Sequence, residues 1–314
     1  MSKRRTPFTR QQRPGRLVPT EATTRVLLGI QAHEGVLSQR QIRRRFFPDC
    51  TSTWPESRLL HYYDHRLVNK FDASFVNGEQ LGEIVYTLDT TGARYLSHEL
   101  GIRYKALRWR RQPRWLTLAH DLKLNDFRIA VTLAAKASPH FALVKWISEF
   151  ELLQMEKKGR KMPGRPDGFM FLRRPSPTLH GKKEELALLV EIDNANHPLG
   201  RFVKRKVKPL LKFIGSPAYE QTFGVRYGAC FVITTGQRRL DNLKAGTEEA
   251  GGNGRFYFTT FDQVQQGSVL HKPIWHMAGS QDAFAISGLP LEPHLHPSLQ
   301  YTPQGQLVLP SVAI

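Results

Sequence analysis

Residues 185–193, ELALLVEID, decide how the second half of this chain folds. The unbroken apolar run from Leu186 to Val190 reads as a central strand covered on both faces. It ends on Glu191 and Asp193, which stand two residues apart and therefore point to one side of the strand. Upstream, HDLKLNDFRIAVTLAAKA (120–137) has the periodicity of a helix burying Leu122, Phe127, Ile129, Ala130 and Leu133. VKWISEFEL (144–152) reads as a strand, a basic Gly-containing loop covers 157–165, and PDGFMFL (166–172) reads as a second strand. Downstream come a very basic helix over 199–214, a buried strand YGACFVITT (227–235), a helix near 237–245 and a closing strand RFYFTTF (255–261). The expected order is αβββαβ, continued by a further helix and strand, as a mixed sheet with flanking helices.

That order sets a group of carboxylates at one edge of the sheet. Asp167 opens the strand before the one that carries Glu191 and Asp193, so all three acids are expected to converge. Three carboxylates together repel one another unless a divalent cation lies among them, and hard oxygen ligands suit Mg2+ or Mn2+. Such a cation polarises a scissile phosphate and activates water. A nearby lysine would stabilise the transition-state charge.

The N-terminal third has a different rhythm. Val26, Leu27 and Ile30 give one apolar stripe on a helix from Thr20 to about His33, and Ser38 caps a second helix through SQRQIRRRFF. A third follows TSTW, where Thr53 and Glu56 have capping-box spacing and Pro55 sits in the first turn. On that helix Leu60, Tyr63 and Leu67 are expected to pack inward, leaving Arg58, His61, Tyr62 and His65 facing out. Two β-rich runs around Asn77-Gly78 and Gly82 follow, then a helix opening at Thr90 or Thr91. Three short helices and a hairpin form a winged helix-turn-helix. In this reading Arg43, Arg44, Arg45, Arg58, His61, Tyr62, His65 and Arg94 are candidate DNA contacts.

Charge points the same way. The chain carries 46 Lys and Arg against 27 Asp and Glu, a formal net charge of +19. The excess is clustered: residues 1–50 hold eleven basics and three acids, while 101–115 hold six basics, no acid and three aromatics. Clustered cations of this kind fit double-stranded DNA, whose phosphates release counterions on contact. Arg108, Arg110 and Arg111 of GIRYKALRWRRQPRW join the candidate contacts, as do Lys204 and Lys208; the aromatics of that stretch either stack on bases or pin it to a domain. A membrane surface is disfavoured, because no basic cluster lies on a strongly apolar amphipathic helix. No apolar run is long enough to span a bilayer and the basic N-terminus lacks a secretory core, so a cytoplasmic location is expected. Two cysteines, Cys50 and Cys230, supply neither a disulfide framework nor a thiolate zinc site.

PD at 166–167, EID at 191–193 and the lysine-rich helix resemble the PD-(D/E)xK nuclease superfamily. More closely, the chain resembles the plasmid replication-relaxation family over about residues 20–276. That likeness rests on QIRRRFF, on His120, Leu122, Asn125 and Asp126, on Trp146 and Glu149, on PDG (166–168), EID (191–193) and the basic helix. FVITT, followed by Arg238, Arg239 and Leu240, and FTTF complete it. The resemblance implies a DNA-binding role in replication or relaxation of plasmids and mobile elements, association with nucleoid or plasmid, and a relaxase or replication protein as partner. Two departures stand out: Asp193 occupies the position of the superfamily's lysine, and Leu210 that of the family's aromatic after it; since some such nucleases draw the lysine from the following helix, the resemblance makes Lys206 the candidate, with Lys204 and Lys208 close behind. The organisation implied is a disordered basic arm (1–19), a winged helix (20–100), a basic and aromatic linker (101–118), a nuclease-like domain (119–277) and an extended or disordered tail (278–314).

Two functions follow. In one, the chain is a Mg-dependent nickase or endonuclease, with Asp167, Glu191 and Asp193 on the metal and Lys206 at the phosphate. In the other, it is a non-catalytic DNA-binding accessory or transcriptional regulator built on a degenerate nuclease fold.

Overall fold

A computed structural model of the protein describes residues 8–288, apart from 108, 140, 161, 174–184, 226–227 and 267–268. The chain divides into two compact units, Met1–Ile129 and Ala130–Ile314. Among the described residues no helix is long and apolar enough to cross a membrane.

The first unit runs α1 (Glu21–Ala32), β1 (Leu37–Ser38), α2 (Gln39–Phe46), α3 (Trp54–Asp64), β2 (Val68–Val76), β3 (Glu79–Leu88) and α4 (Thr90–Glu99). Thr20 and Ser38 close capping boxes on α1 and α2, each satisfying amide donors that the helix leaves open. Val26, Leu27 and Ile30 of α1 are fully buried, as the stripe predicts. β2 and β3 form a hairpin on Asn77 (φ 52°) and Gly78 (φ 81°), the paired positive angles of a two-residue turn matched to strand twist. β1 joins β3 at Leu37↔Tyr86, which completes a three-stranded sheet.

The third helix departs from its expected phase. Thr53 makes no side-chain cap; Glu56 pairs instead with Arg43 at 2.8 Å, and Ser52 Oγ accepts from Trp54 N. Leu59, Tyr62 and Tyr63 face the core and Leu60 lies outside. Of the expected inward set, Tyr63 and Leu67 are buried and Leu60 is not; the helix ends at Asp64, and Arg66 at φ 58° turns the chain into β2, so Leu67 is buried from outside the helix. Tyr62 is fully buried and its hydroxyl accepts from Thr23 Oγ1 at 3.1 Å.

The arm, expected to be disordered, and the segment expected to link the domains are both held within this unit. The arm is fixed from Phe8 onward, since Arg10 finds the carboxylate of Asp89, the residue that caps α4. In segment 101–118, the carbonyl of Arg111 accepts from Asn69 Nδ2 and Thr87 Oγ1, and that of Trp115 from Asn77 Nδ2. Arg114 forks onto buried Asp121 at 2.6 and 3.1 Å. Asp121 lies on α5 (Leu118–Ala137), the helix in which one unit ends and the other begins.

The second unit continues with β4 (Ala142–Ser148), α6 (Glu149–Lys157), β5 (Gly168–Arg173), β6 (Glu185–Asp193), α7 (Leu199–Phe202), a π turn (Val203–Val207) and α8 (Lys208–Phe213). Then come α9 (Pro217–Phe223), β7 (Ala229–Thr234), α10 (Gln237–Glu249), β8 (Phe256–Thr260), α11 (Phe261–Gln266), β9 (Trp275–Met277) and β10 (Ala283–Phe284). The seven strands lie in the order β10-β9-β8-β7-β6-β5-β4. β6 is central, antiparallel to β5 and parallel to β7, and Leu186 to Val190 are all buried. This is the mixed sheet with flanking helices that the order of elements predicts.

Three boundaries are corrected. The strand expected over 144–152 stops at Ser148, which forms a capping box with Glu151 and starts α6; the residues that follow cannot stay extended once their amides are capped. The tail is ordered to Gly288, with β10 paired to β9 at Ala283↔His276. The single basic helix expected over 199–214 is interrupted by the π turn at Val203–Val207. Residues 289–314, the rest of the expected tail, lie outside the described residues.

Candidate active site and DNA-binding surface

β5 and β6 bring the first two acids together. Asp167 N donates to Val190 O at 2.9 Å, and Gly168 pairs with Val190, so extending the register by one sets Asp167 opposite Glu191. Asp167 Oδ2 in turn accepts from Ile192 N at 2.7 Å, which fixes its carboxylate over the neighbouring strand. Gly168 admits no side chain here, because a Cβ would lie 2.9 Å from the Trp146 ring. Asp167 and Glu191 are both buried.

Lys206 completes the group. It leaves the π turn with its Nζ 2.8 Å from each oxygen of Glu191 and 2.8 Å from Arg165 O. That carbonyl is presented by a tight turn, Gly164 at φ 77° and Arg165 at φ 41°. A Cβ at Gly164 would press Leu210, so the glycine lets the turn lie against α8. Leu210, the departure from the superfamily aromatic, is a fully buried core residue. π turns insert one extra residue and recur at functional sites, and this one carries Lys206 itself.

The electrostatics follow from burial. Desolvation holds the Glu191 carboxyl well above the ordinary carboxylate range, and the charge of Asp167 adds to the rise; Lys206 only partly offsets it. Burial works against the Lys206 ammonium, but Glu191 and Asp167 outweigh it and raise its pKa. Beneath them, burial and then Glu191 push the Cys230 thiol well up, so it stays neutral.

Asp193 is engaged elsewhere. Arg239 of α10 grips both of its oxygens at 2.9 and 3.0 Å, and Thr234 Oγ1 donates to it at 2.7 Å. Arg239 also donates to His197 O at 2.9 Å. The three acids thus form a pair and a separate ion pair. Among the described residues no three His, Cys, Asp or Glu side chains are grouped to hold a metal ion. Asp167 and Glu191 fit a divalent cation by their chemistry, two buried hard-oxygen ligands whose mutual repulsion a cation relieves. Asp193 does not fit, because its oxygens serve Arg239. Sequence reasoning missed this pairing; the signal was the Arg238-Arg239 dipeptide after the FVITT strand. Arg239 also lines a cavity of about 410 Å3 at the end of β7, with Thr235, Gly236, Gln237, Arg238 and Asn242.

The candidate DNA contacts of the second unit are exposed: Lys204 and Lys208 stand on the outer face of the basic helix with Arg201 and Arg205. In the first unit Arg94 is exposed, and Arg44 and Arg45 are partly so. Arg43 holds the α2–α3 turn through Glu56 and the carbonyls of Cys50 and Ser52. Arg58 lies over the rings of Trp54 and Tyr62, 5.6 and 5.5 Å from their centroids. The His61 and His65 rings meet edge to face with centroids 4.3 Å apart, and burial, then His65, lower the pKa of His61. Tyr62 is removed from the contact set by its burial. Arg111 is exposed near Asp89, Arg110 packs beside Gly35, and Arg108 lies outside the described residues. Two motif residues prove to be structural: Asn125 Nδ2 donates to Val36 O at 2.8 Å, and Asp126 pairs with Arg40 at 2.8 Å.

A family model described as replication-relaxation matches residues 28–225. No curated protein sequence matches the chain. Among solved structures, the restriction endonuclease FokI resembles it with 13% identity and a TM-score of 0.27. That alignment covers 78% of this chain and 43% of FokI, so the chain spans less than half of FokI's length. At that score the likeness carries no argument.

Proposed function

The chain belongs to the replication-relaxation family, and from that premise we propose that it is a DNA-binding protein of plasmid or mobile-element replication and relaxation, with Asp167, Glu191 and Lys206 as its chemical centre. One observation carries the reading: two buried carboxylates oppose each other on adjacent strands, and a lysine from a basic helix ties one of them, Glu191, to the loop before β5. Helices α1 to α3 and the β2–β3 hairpin are read as a winged helix, which supports docking on a duplex. The net charge of +19 supports the same partner.

In this reading Asp167 and Glu191 would hold Mg2+ or Mn2+, which supplies Lewis-acid polarisation of a phosphodiester and a nucleophilic water. The protein's own contributions are positional and electrostatic. Ile192 N fixes Asp167, Arg165 O and Glu191 aim the Lys206 ammonium, and the exposed lysines of the same helix hold the DNA backbone alongside. Nicking of supercoiled plasmid in Mg2+ or Mn2+ tests the reading. Wild type is expected to give relaxed circles and Asp167→Ala with Glu191→Ala to give none; equal conversion by both would overturn it.

A second reading has its own support. Lys206 already bridges both Glu191 oxygens, and Asp193 is committed to Arg239. A centre neutralised in this way suits a DNA-binding accessory or regulator that uses a degenerate nuclease fold as a platform. It predicts no relaxation by wild type, with DNA binding intact.

A further inference from the structure

We propose that the N-terminal arm and the outer stripe of α3 form one continuous duplex-binding surface, in which Arg10 is the anchor and Arg13 and Arg16 are the phosphate contacts. The inference rests on the DNA-binding reading above and extends it to a segment expected to be disordered.

The arm is fastened at successive points. The Arg10 guanidinium lies 4.2 Å from the centroid of the Tyr63 ring. It donates to Asp89 Oδ2 at 2.8 Å, to Asn69 Oδ1 at 2.7 Å and to the carbonyl of Tyr63. Tyr63 Oη donates to Phe8 O at 2.7 Å, and Gln11 N donates to Asp64 Oδ1 at 3.0 Å. Lys70 Nζ lies 5.0 Å from the centroid of the Phe8 ring. Asp89 is buried, so Arg10 is partnered inside the unit and is not itself available to a ligand. These ties give the arm a fixed path past the end of α3.

The path meets the contact stripe of that helix. Trp54, Arg58, His61 and His65 follow one another at i, i+4, i+7 and i+11 on its outer side. The His61 and His65 rings touch, and His65 Nε2 faces the carbonyl of Gly15. Gly15 sits between Arg13 and Arg16, both exposed. Three ring systems and an arginine on the helix thus run directly into two further arginines held by the arm. A stripe of donors and rings suits a groove, and flanking arginines on a fixed backbone suit the phosphates bordering it. An unanchored arm would have to be ordered on binding, at a cost in affinity.

The test is fluorescence-anisotropy titration of labelled duplex with the full chain at several salt concentrations. Arg13→Ala with Arg16→Ala alters exposed positions and is expected to keep the fold, checked by an unchanged melting curve. Loss of two phosphate contacts should lower the slope of log affinity against log salt by about 1.8 and weaken binding by about tenfold. Arg10→Met, which frees the arm without touching Arg13 or Arg16, should also weaken binding. A steep wild-type salt response with an unchanged Arg13→Ala, Arg16→Ala variant would overturn the arm proposal and leave the DNA-binding reading standing. A flat wild-type response would overturn both.

Discussion

Removing Asp193 separates a structural counter-ion from a metal ligand. Its carboxylate accepts three hydrogen bonds, two from Arg239 and one from Thr234, and its side chain is 9% exposed against 17% for Arg239. Breaking one side of a well-buried pair costs about 3–5 kcal/mol; the partial exposure of Arg239 brings the expected loss for Asp193→Ala to about 3 kcal/mol. Arg239→Ala leaves Asp193 with the Thr234 hydroxyl and a carbonyl of His197 unpaired, a loss of about 2 kcal/mol. Because both changes delete the same contact, the double variant should lose about 1.5–2 kcal/mol less than the sum. The assay is a double-mutant cycle by thermal melting, in which Asp193→Ala alone lowers the midpoint of the second unit by about 6–12 °C. Mn2+ should stabilise Asp193→Ala as much as wild type. An Asp193→Ala variant that melts like wild type in chelator yet has lost its Mn2+ response would refute this reasoning and make Asp193 a ligand.

Two further outcomes follow from the same geometry. The Glu191 carboxyl is raised in the folded state, so its contribution to stability is fully present below the unfolded pKa and is lost as pH rises through the folded one. Glu191→Gln should therefore gain stability relative to wild type as pH rises above the ordinary carboxylate range in matched melts; a difference independent of pH would contradict the burial argument. Tyr62→Phe removes one buried hydrogen bond to Thr23 and should cost the first unit about 1 kcal/mol while duplex affinity stays at the wild-type value. A loss of affinity with unchanged stability would return Tyr62 to the contact surface.

Much of the scaffold was legible because it is written in short-range patterns. The apolar run of β6, the helix cap Ser38 and the Asn77-Gly78 turn each act within a few residues. The phase of α3 was not legible, because it depends on where the helix stops. Arg66 adopts a positive φ with no glycine to announce it. Tyr62 looked polar enough for a surface, yet its hydroxyl has a buried partner 39 residues away. The arm failed for the same reason: local composition argued for disorder, while the acid that holds Arg10 stands 79 positions downstream. At the centre, strand periodicity put Asp167 beside Glu191, and Lys206, taken from the superfamily resemblance, is the lysine that reaches Glu191. It could not divide Glu191 from Asp193, since that division is made by Arg239, from a helix beyond the next strand.

As proposed, Asp167 and Glu191 form one site for a divalent cation beside Lys206. Counting bound Mn2+ by electron paramagnetic resonance on the full chain tests this pairing most directly. Wild type and Asp193→Ala are expected to hold one tightly bound ion per chain, and Asp167→Asn with Glu191→Gln none. Wild type that binds no ion, or a double variant that still binds one, would contradict it.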